Sequence, residues 1–225
     1  MSDDVSMFIT EVPAEFAESD FSTTQLHITS VTGTVIGLSY ETIAANNPSK
    51  YGNFVAIWQA YNRIPWTEDW LKKREISGSS PQGTTAFSGL ALQNKGYIIG
   101  YAVGPKLDNI CATAFIPAKG NPSTQDEFHP RIAPVDIGDD SVIFSFEVPP
   151  GATPQTFKHW VGVYAGTSVP YEGGTSVGSS SVETDYDRGE VGISAKGLIR
   201  GNTYTAGYFA GDNQTCLACS CTFKY

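Results

Sequence analysis

Charged side chains are scarce in this sequence, and basic ones are scarcest. Asp, Glu, Lys and Arg make up 16% of the 225 residues; 23 Asp and Glu outnumber 14 Lys and Arg, and the net charge is −9. A typical soluble chain contains about 25% charged residues. This acidic balance leaves too few basic side chains to neutralise nucleic-acid phosphates, and it disfavours anionic membranes. We therefore expect no nucleic acid among the partners.

Long apolar segments are also missing. A membrane-spanning helix needs about 18 consecutive apolar residues, and no stretch of this sequence approaches that length, so the sequence predicts no membrane span. The N-terminus contains neither the basic start nor the apolar centre of a secretory signal peptide. These absences predict a protein that is cytoplasmic, or one that is released without a cleaved signal peptide.

Cysteine is rare, and its positions do not suggest a disulfide framework. The four cysteines, Cys111, Cys216, Cys219 and Cys221, are too few and too clustered for one. Packing in the core, a local disulfide or redox pair, and a thiolate metal site remain the alternatives. Core packing is favoured, because a structural zinc site usually uses two Cys-x-x-Cys pairs and only one is present. We expect no cofactor.

What the chain does contain is an internal repeat. Six blocks of sequence recur in the same order in two diverged copies; for example, residues 53–58 match residues 159–164. In the last block Cys111 aligns with Cys219. Ordered self-similarity of this kind indicates a duplicated structural unit.

The repeat sets the predicted domain organisation. Between the copies lies a stretch rich in Pro, Gly and polar residues without periodicity, which is typical of a linker. We predict an N-terminal segment (1–25), a first repeat (26–117), a linker (118–130) and a second repeat (131–225). The N-terminal segment is either a tail or, through residues 7–10, an added edge strand.

The repeated blocks have the pattern of β-strands. They are short, rich in Val, Ile, Tyr, Phe and Thr, and bounded by Gly, Pro and Asn; in 142–148 the even positions are all apolar. The sequence therefore predicts an all-β fold of two tandem immunoglobulin-like (fibronectin-like) antiparallel β-sandwich domains. Residues 66–75 carry a Thr cap followed by acidic and then basic residues, which predicts one short helix or helical turn.

Two of the predicted strands resemble a known family. The segment Trp160-Val-Gly-Val-Tyr164, with the later Gly207-Tyr208, is similar to the core of SKICH-type and related immunoglobulin-like modules. Residues 53–58 provide a weaker match in the first copy. Members of that family are non-catalytic targeting or interaction domains, so the resemblance implies a β-sandwich with a binding function.

Aromatic residues concentrate in one predicted loop and suggest a ligand surface. Flat aromatic rings edged by amides and charges suit a sugar or a protein interface. The alternative is that Trp58 and Trp66, which align with Tyr164 and Tyr171, belong to the core of the repeat. The candidate ligand-binding residues are Tyr61, Asn62, Arg63, Trp66, Asp69, Trp70 and Tyr171.

The sequence offers no convincing catalytic or metal-binding set. A Gly-x-Ser-x-Gly pattern around Ser176 is followed by no histidine, as a nucleophile elbow would require. Asp185, Asp187 and Glu190 match a calcium loop only in part, and a solvated turn explains them better. We predict that the protein is not an enzyme and has no metal, and we keep these three acids as weak candidates.

Together these patterns predict a non-enzymatic, lectin-like or toxin-like binding protein. It would recognise a glycan or a cell-surface partner through loops of the two sandwiches, chiefly 59–74 and 166–180. One alternative is a self-associating structural or interaction protein, because Tyr- and Gly-rich strands with exposed edges can pair between chains to form a homo-oligomer. Another is a metal-binding sensor or enzyme built on the acidic turns and the C-terminal thiols.

Overall fold

Alternating apolar and polar residues build an all-β structure, which confirms the all-β part of the predicted fold class. A computed structural model describes residues 21–118 and 127–225. Within them the strands are β1 (Phe21–Thr23), β2 (Gln25–Val31), β3 (Val35–Glu41), β4 (Phe54–Trp58), β5 (Lys72–Glu75), β6 (Gln82–Ser88), β7 (Tyr97–Ala102), β8 (Ile110–Ile116), β9 (Glu127–Phe128), β10 (Arg131–Ile137), β11 (Ser141–Glu147), β12 (Trp160–Ala165), β13 (Gly178–Ser181), β14 (Arg188–Ser194), β15 (Thr203–Phe209) and β16 (Leu217–Lys224). A short helix, α1 (Pro48–Tyr51), and two 3-10 turns, Leu107–Asn109 and Ala195–Gly197, complete this part of the chain. In the same residues no helix has the length and apolar character needed to cross a membrane.

The strands form antiparallel sheets arranged as two sandwich-like pairs. The first pair has the strand orders β2-β3-β6 and β5-β4-β7-β8-β9, and the second has β10-β11-β14 and β13-β12-β15-β16-β1. Alternate residues of a strand point to opposite faces. Ile36, Leu38 and Tyr40 of β3 are therefore buried together, in the same apolar cluster as Val55 and Tyr101 of the facing sheet.

The two pairs of sheets have the same register. Val55 of β4 pairs with Tyr101 of β7, and Val161 of β12 pairs with Tyr208 of β15. The matched segments 53–58 and 159–164 thus occupy equivalent places. The strands β2 and β10 also carry a bulge at equivalent positions, so we refer to residues 25–118 and 131–225 as the two halves.

Strand pairing corrects one detail of the sequence alignment. Gly100 pairs with Thr113, and Gly207 pairs with Ser220. Thr113 on β8 and Ser220 on β16 are therefore equivalent residues. Cys111 lies two residues before Thr113, and Ala218 lies two residues before Ser220, so the equivalent of Cys111 is Ala218 and not Cys219. The alignment was shifted by one residue because it matched identical cysteines, whereas hydrogen-bond register decides which residues are equivalent.

In each half, the five-stranded sheet is completed by a strand that lies, in sequence, just before the other half. Strand β1 lies just before the first half but pairs with β16, with Ser22 opposite Ser220. Strand β9 lies just before the second half but pairs with β8, with Phe128 opposite Thr113. This reciprocal exchange places Glu127–Phe128, part of the predicted linker, inside a sheet. The edge strand predicted at residues 7–10 lies outside the described residues.

The helix predicted over residues 66–75 is wrong. Lys72–Glu75 is strand β5, which pairs with β4 so that Phe54 lies opposite Glu75. Trp66 has a φ of 55°, outside the right-handed helical region. The backbone of β4 needs hydrogen-bond partners on this side, and that long-range pairing outweighs the local capping pattern.

Buried side chains tie the two halves into one core. Apolar residues from both halves form a single continuous cluster. Asn109 reaches across, donating from Nδ2 to the Ala210 carbonyl at 2.7 Å. His159 Nε2 lies 3.1 Å from the Asp108 carbonyl, to which it donates. The loops described next are therefore mounted on a common packed scaffold.

Candidate functional site

The loop between β4 and β5 contains both buried and exposed aromatic side chains. Trp58 is 2% exposed and donates from Nε1 to the Thr67 carbonyl at 3.0 Å. Trp70 is half-buried and lies edge-on to Trp58, with ring centroids 6.2 Å apart. Tyr61, in contrast, is 84% exposed. The two tryptophans hold the loop in place, and the tyrosine presents its ring to solvent.

Trp66 connects this loop to the second half. Its ring centroid lies 5.1 Å from that of Phe157, and its buried Nε1 has no hydrogen-bond partner among the described residues. A Cβ added at Gly151 would lie 3.3 Å from Arg63 Cδ and 3.4 Å from Trp66 Nε1. The Arg63 and Trp66 side chains therefore pack under the turn that contains Gly151, where they support the loop.

Tyr171 lies in the core, away from the exposed part of the predicted surface. It is 5% exposed, its ring stacks on Tyr51 at 5.5 Å, and its hydroxyl donates to the Ile43 carbonyl at 3.4 Å. Its apolar cluster is separate from the one that contains Trp58 and Trp70. Asn62 and Asp69 are exposed on the loop. The structure thus keeps Tyr171 apart from the six other candidates.

A shallow cavity of about 390 Å³ adjoins the exposed tyrosine. The Ala60 amide donates to the Gly96 carbonyl at 3.2 Å, which joins the β4–β5 loop to the turn before β7. A Cβ at Gly96 would lie 2.8 Å from the Ala60 carbonyl oxygen, so glycine permits this close approach. The lining residues are Gln59, Ala60, Tyr61, Asn94, Lys95, Gly96 and Ala118.

Two of the three weak metal candidates have structural hydrogen bonds instead. Asp185 accepts from the Thr156 amide and hydroxyl, both at 2.9 Å. Asp187 accepts from the Gly151 amide at 3.2 Å. Glu190 lies on β14. Among the described residues these acids do not converge on a common point that could hold a metal ion.

All four cysteines are buried and free, consistent with core packing. Burial raises the pKa of Cys111 and Cys221 to about 12 and that of Cys216 to about 11, and it raises the pKa of Cys219 well above the ordinary value. The thiolate is the form that attacks disulfides and binds metals. At neutral pH these side chains are therefore thiols, poorly suited to either role.

One cluster of chemically active side chains was not found by the sequence analysis. His27 on β2, Glu127 on β9 and His129 just after β9 each place a ligand atom within 4.8 Å of the other two. His27 Nδ1 lies 2.8 Å from Glu127 Oε2, and His129 Nε2 lies 3.7 Å from the same oxygen. Burial is the main cause that lowers the pKa of His129, which keeps its ring neutral at neutral pH.

The exchanged strand explains why the cluster was missed. His27 and Glu127 are 100 residues apart in sequence, and only the pairing of β9 with β8 brings them together. The one local signal is the alternation of Glu127 and His129, which puts both side chains on the same face of a strand.

Comparisons with known proteins give no relative from which to transfer a function. No protein-family profile matches the sequence, and no curated protein matches it.

Proposed function

We propose that this protein is a non-enzymatic binding protein that recognises a glycan through Tyr61 and the cavity beside it. The observation that carries the proposal is the 84% exposed ring of Tyr61 at the rim of a cavity of about 390 Å³. Isolated apolar residues on a surface are ordinary, but a large exposed ring beside a concavity with polar groups is typical of a ligand site.

The chemistry around Tyr61 suits a carbohydrate. An aromatic ring can cover the apolar face of a sugar, while amides and an ammonium group bond its hydroxyls. Gln59 and Asn94 supply amides and Lys95 supplies the ammonium, and all three side chains are exposed at the cavity. Among the described residues, no carboxylate or histidine lines this cavity, so the set favours binding over hydrolysis.

The scaffold supports a preformed site. The Trp58 and Trp70 contacts fix one side of the loop, and the hydrogen bond from Ala60 to Gly96 fixes the other. A ligand then meets a surface already in place and loses little affinity to ordering it. Rigid elements that carry a binding loop are the usual arrangement in β-sandwich recognition proteins.

We further infer that each half is an immunoglobulin-like domain of the fibronectin-like kind. Without its exchanged strand, each half contains a three-stranded and a four-stranded antiparallel sheet, seven strands in all. That number and this arrangement are those of immunoglobulin-like sandwiches. At the outer strand β5 the predicted self-association receives less support, because charged edges disfavour pairing between chains and β5 carries Lys72, Lys73, Arg74 and Glu75.

A glycan array tests the proposed function. We expect the wild-type protein to bind at least one class of sugar, and Tyr61→Ala to weaken that binding by about tenfold or more, equivalent to about 1.4 kcal/mol. Tyr186→Ala is the matched control, because Tyr186 is 78% exposed but lies on a different turn. Binding should be unchanged in the control.

Two outcomes would contradict the proposal. One is a wild-type protein that binds no sugar on an array that covers the common terminal residues. The other is sugar binding that Tyr61→Ala and Tyr186→Ala leave equally intact, since the ligand would then bind elsewhere.

A further inference from the structure

We propose that His27, Glu127 and His129 form a binding site for one divalent transition-metal ion of the zinc class. The two imidazoles and the carboxylate come from two segments, β2 and the end of β9, and converge within 4.8 Å. Two histidines and one glutamate form an established ligand set for zinc, which leaves a fourth position for water or another ligand. The site is independent of the cavity at Tyr61.

The orientation of His27 indicates that a cation belongs between the side chains. Its Nε2 lies 3.1 Å from Gln25 Oε1, which accepts the Nε2 proton. With the Nε2 proton donated to Gln25, Nδ1 and Glu127 Oε2, which lie 2.8 Å apart, share one cation between them, either a second ring proton or a metal ion. Two electron-pair donors this close repel each other unless a proton or a metal ion lies between them. A hydrogen bond from the other ring nitrogen, such as that from His27 Nε2 to Gln25, commonly orients a metal-binding histidine.

His129 supplies a second, independent observation. Its Nδ1 is buried and has no hydrogen-bond partner among the described residues, and its Nε2 is 3.7 Å from Glu127, too long for a hydrogen bond. The side chain as a whole is 28% exposed, and a buried ring nitrogen without a partner is unusual in a protein. A metal ion on Nε2 would give that nitrogen the partner that Glu127 is too distant to be, while the Nδ1 proton would find its partner outside the described residues.

The two separations that involve Glu127 require only a small adjustment. Two ligand atoms about 2.0–2.1 Å from a tetrahedral zinc ion lie about 3.3 Å from each other. His129 Nε2 is already 3.7 Å from Glu127 Oε2, and the 2.8 Å between His27 and Glu127 must open by about 0.5 Å. The Glu127 side chain is one-third exposed, so its carboxylate can rotate by that amount.

The fold itself does not require the cluster. The strand register gives the equivalent residues in the sheets of the second half. They are Ala133 for His27, Phe21 for Glu127 and Thr23 for His129. The same scaffold is therefore built without any of these ligands at the other end of the molecule. A bound ion would link β2 to β9, a strand of only two residues that leads into the second half.

Titration with Zn²⁺ alone, followed by isothermal calorimetry, tests the site. We expect one ion per wild-type chain and at least about 100-fold weaker binding when any ligand is removed, since the loss of an outer contact alone costs about 10–100-fold. The ligand variants are His27→Ala, His129→Thr and Glu127→Gln; the first two copy residues that the other half already accommodates. Glu147→Gln, which removes a partly exposed carboxylate on β11, is the matched control and should bind as the wild type does.

Two further readouts separate loss of the site from loss of the fold. Zn²⁺ should raise the melting temperature of the wild type and of the control but not of the ligand variants. Co²⁺ in place of Zn²⁺ should give the visible absorption of a nitrogen- and oxygen-bound ion without a thiolate charge-transfer band. Three results would overturn the proposal: no Zn²⁺ binding at about 1 mM, wild-type affinity in a folded ligand variant, or a thiolate band.

Discussion

Replacing Gly211 by alanine should lower the free energy of unfolding by about 3–4 kcal/mol. Gly211 has a φ of 126°, a conformation that strains any residue with a Cβ. The added Cβ would also overlap Nδ2 of Asn109. That side chain is buried and bridges the halves through its bond to the Ala210 carbonyl, so it cannot move aside without leaving buried polar groups unpaired.

Urea unfolding followed by tryptophan fluorescence measures this loss. Gly192→Ala is the control, because Gly192 lies on an exposed strand position with nothing within 4 Å of an added Cβ. It should change the unfolding free energy by less than about 1 kcal/mol. If Gly211→Ala were as mild as the control, Asn109 would not be a rigid link between the halves.

Acid should destabilise the protein through His159. Burial lowers the pKa of His159 to about 4, from an ordinary value of 6.5. The neutral ring donates from Nε2 to the Asp108 carbonyl and accepts at Nδ1 from the Tyr208 hydroxyl at 2.9 Å. Because the folded-state pKa is the lower one, the unfolded chain binds the extra proton. Stability is therefore lost as the pH falls from about 6.5 to about 4, by about 2–3 kcal/mol at pH 4.5.

The comparison with His159→Asn isolates this effect. Asparagine occupies the equivalent position in the first half, where Asn53 Oδ1 accepts from the Tyr101 hydroxyl at 3.2 Å. We expect the variant to be less stable than the wild type at neutral pH. Between pH 7 and pH 4.5, however, its free energy of unfolding should fall by about 2–3 kcal/mol less than that of the wild type. Contributions from carboxylates and from the other histidines cancel in this comparison. Parallel stability curves for the two proteins would show that His159 titrates normally.

Much of the fold could be predicted from the sequence, because its signals are local. Period-two alternation in β11 and the recurrence of 53–58 as 159–164 identify the strands and their equivalence. The exchange of β1 and β9 could not be predicted, since neither short segment shows which strand it will pair with. The false helix at 66–75 has the same origin: a local capping pattern gave way to pairing with β4.

The candidate sites could likewise be predicted only in part from the sequence. Composition pointed to the aromatic loop, but burial decided which of its rings face solvent, and only Tyr61 does so fully. Tyr171, one of the seven candidates, is a core residue. The His27 and Glu127 pair depends on a contact across 100 residues, which no spacing rule can reveal.

The most direct test of glycan recognition at Tyr61 is an NMR titration of the isotopically labelled protein with the sugar that scores highest on the array. The proposal predicts that the largest shift changes fall on the Tyr61 ring and on the side-chain amides of Gln59 and Asn94, which line the cavity. Signals of the exposed Tyr186 should stay in place. Shift changes centred on another surface, with the Tyr61 ring unaffected at saturation, would contradict it.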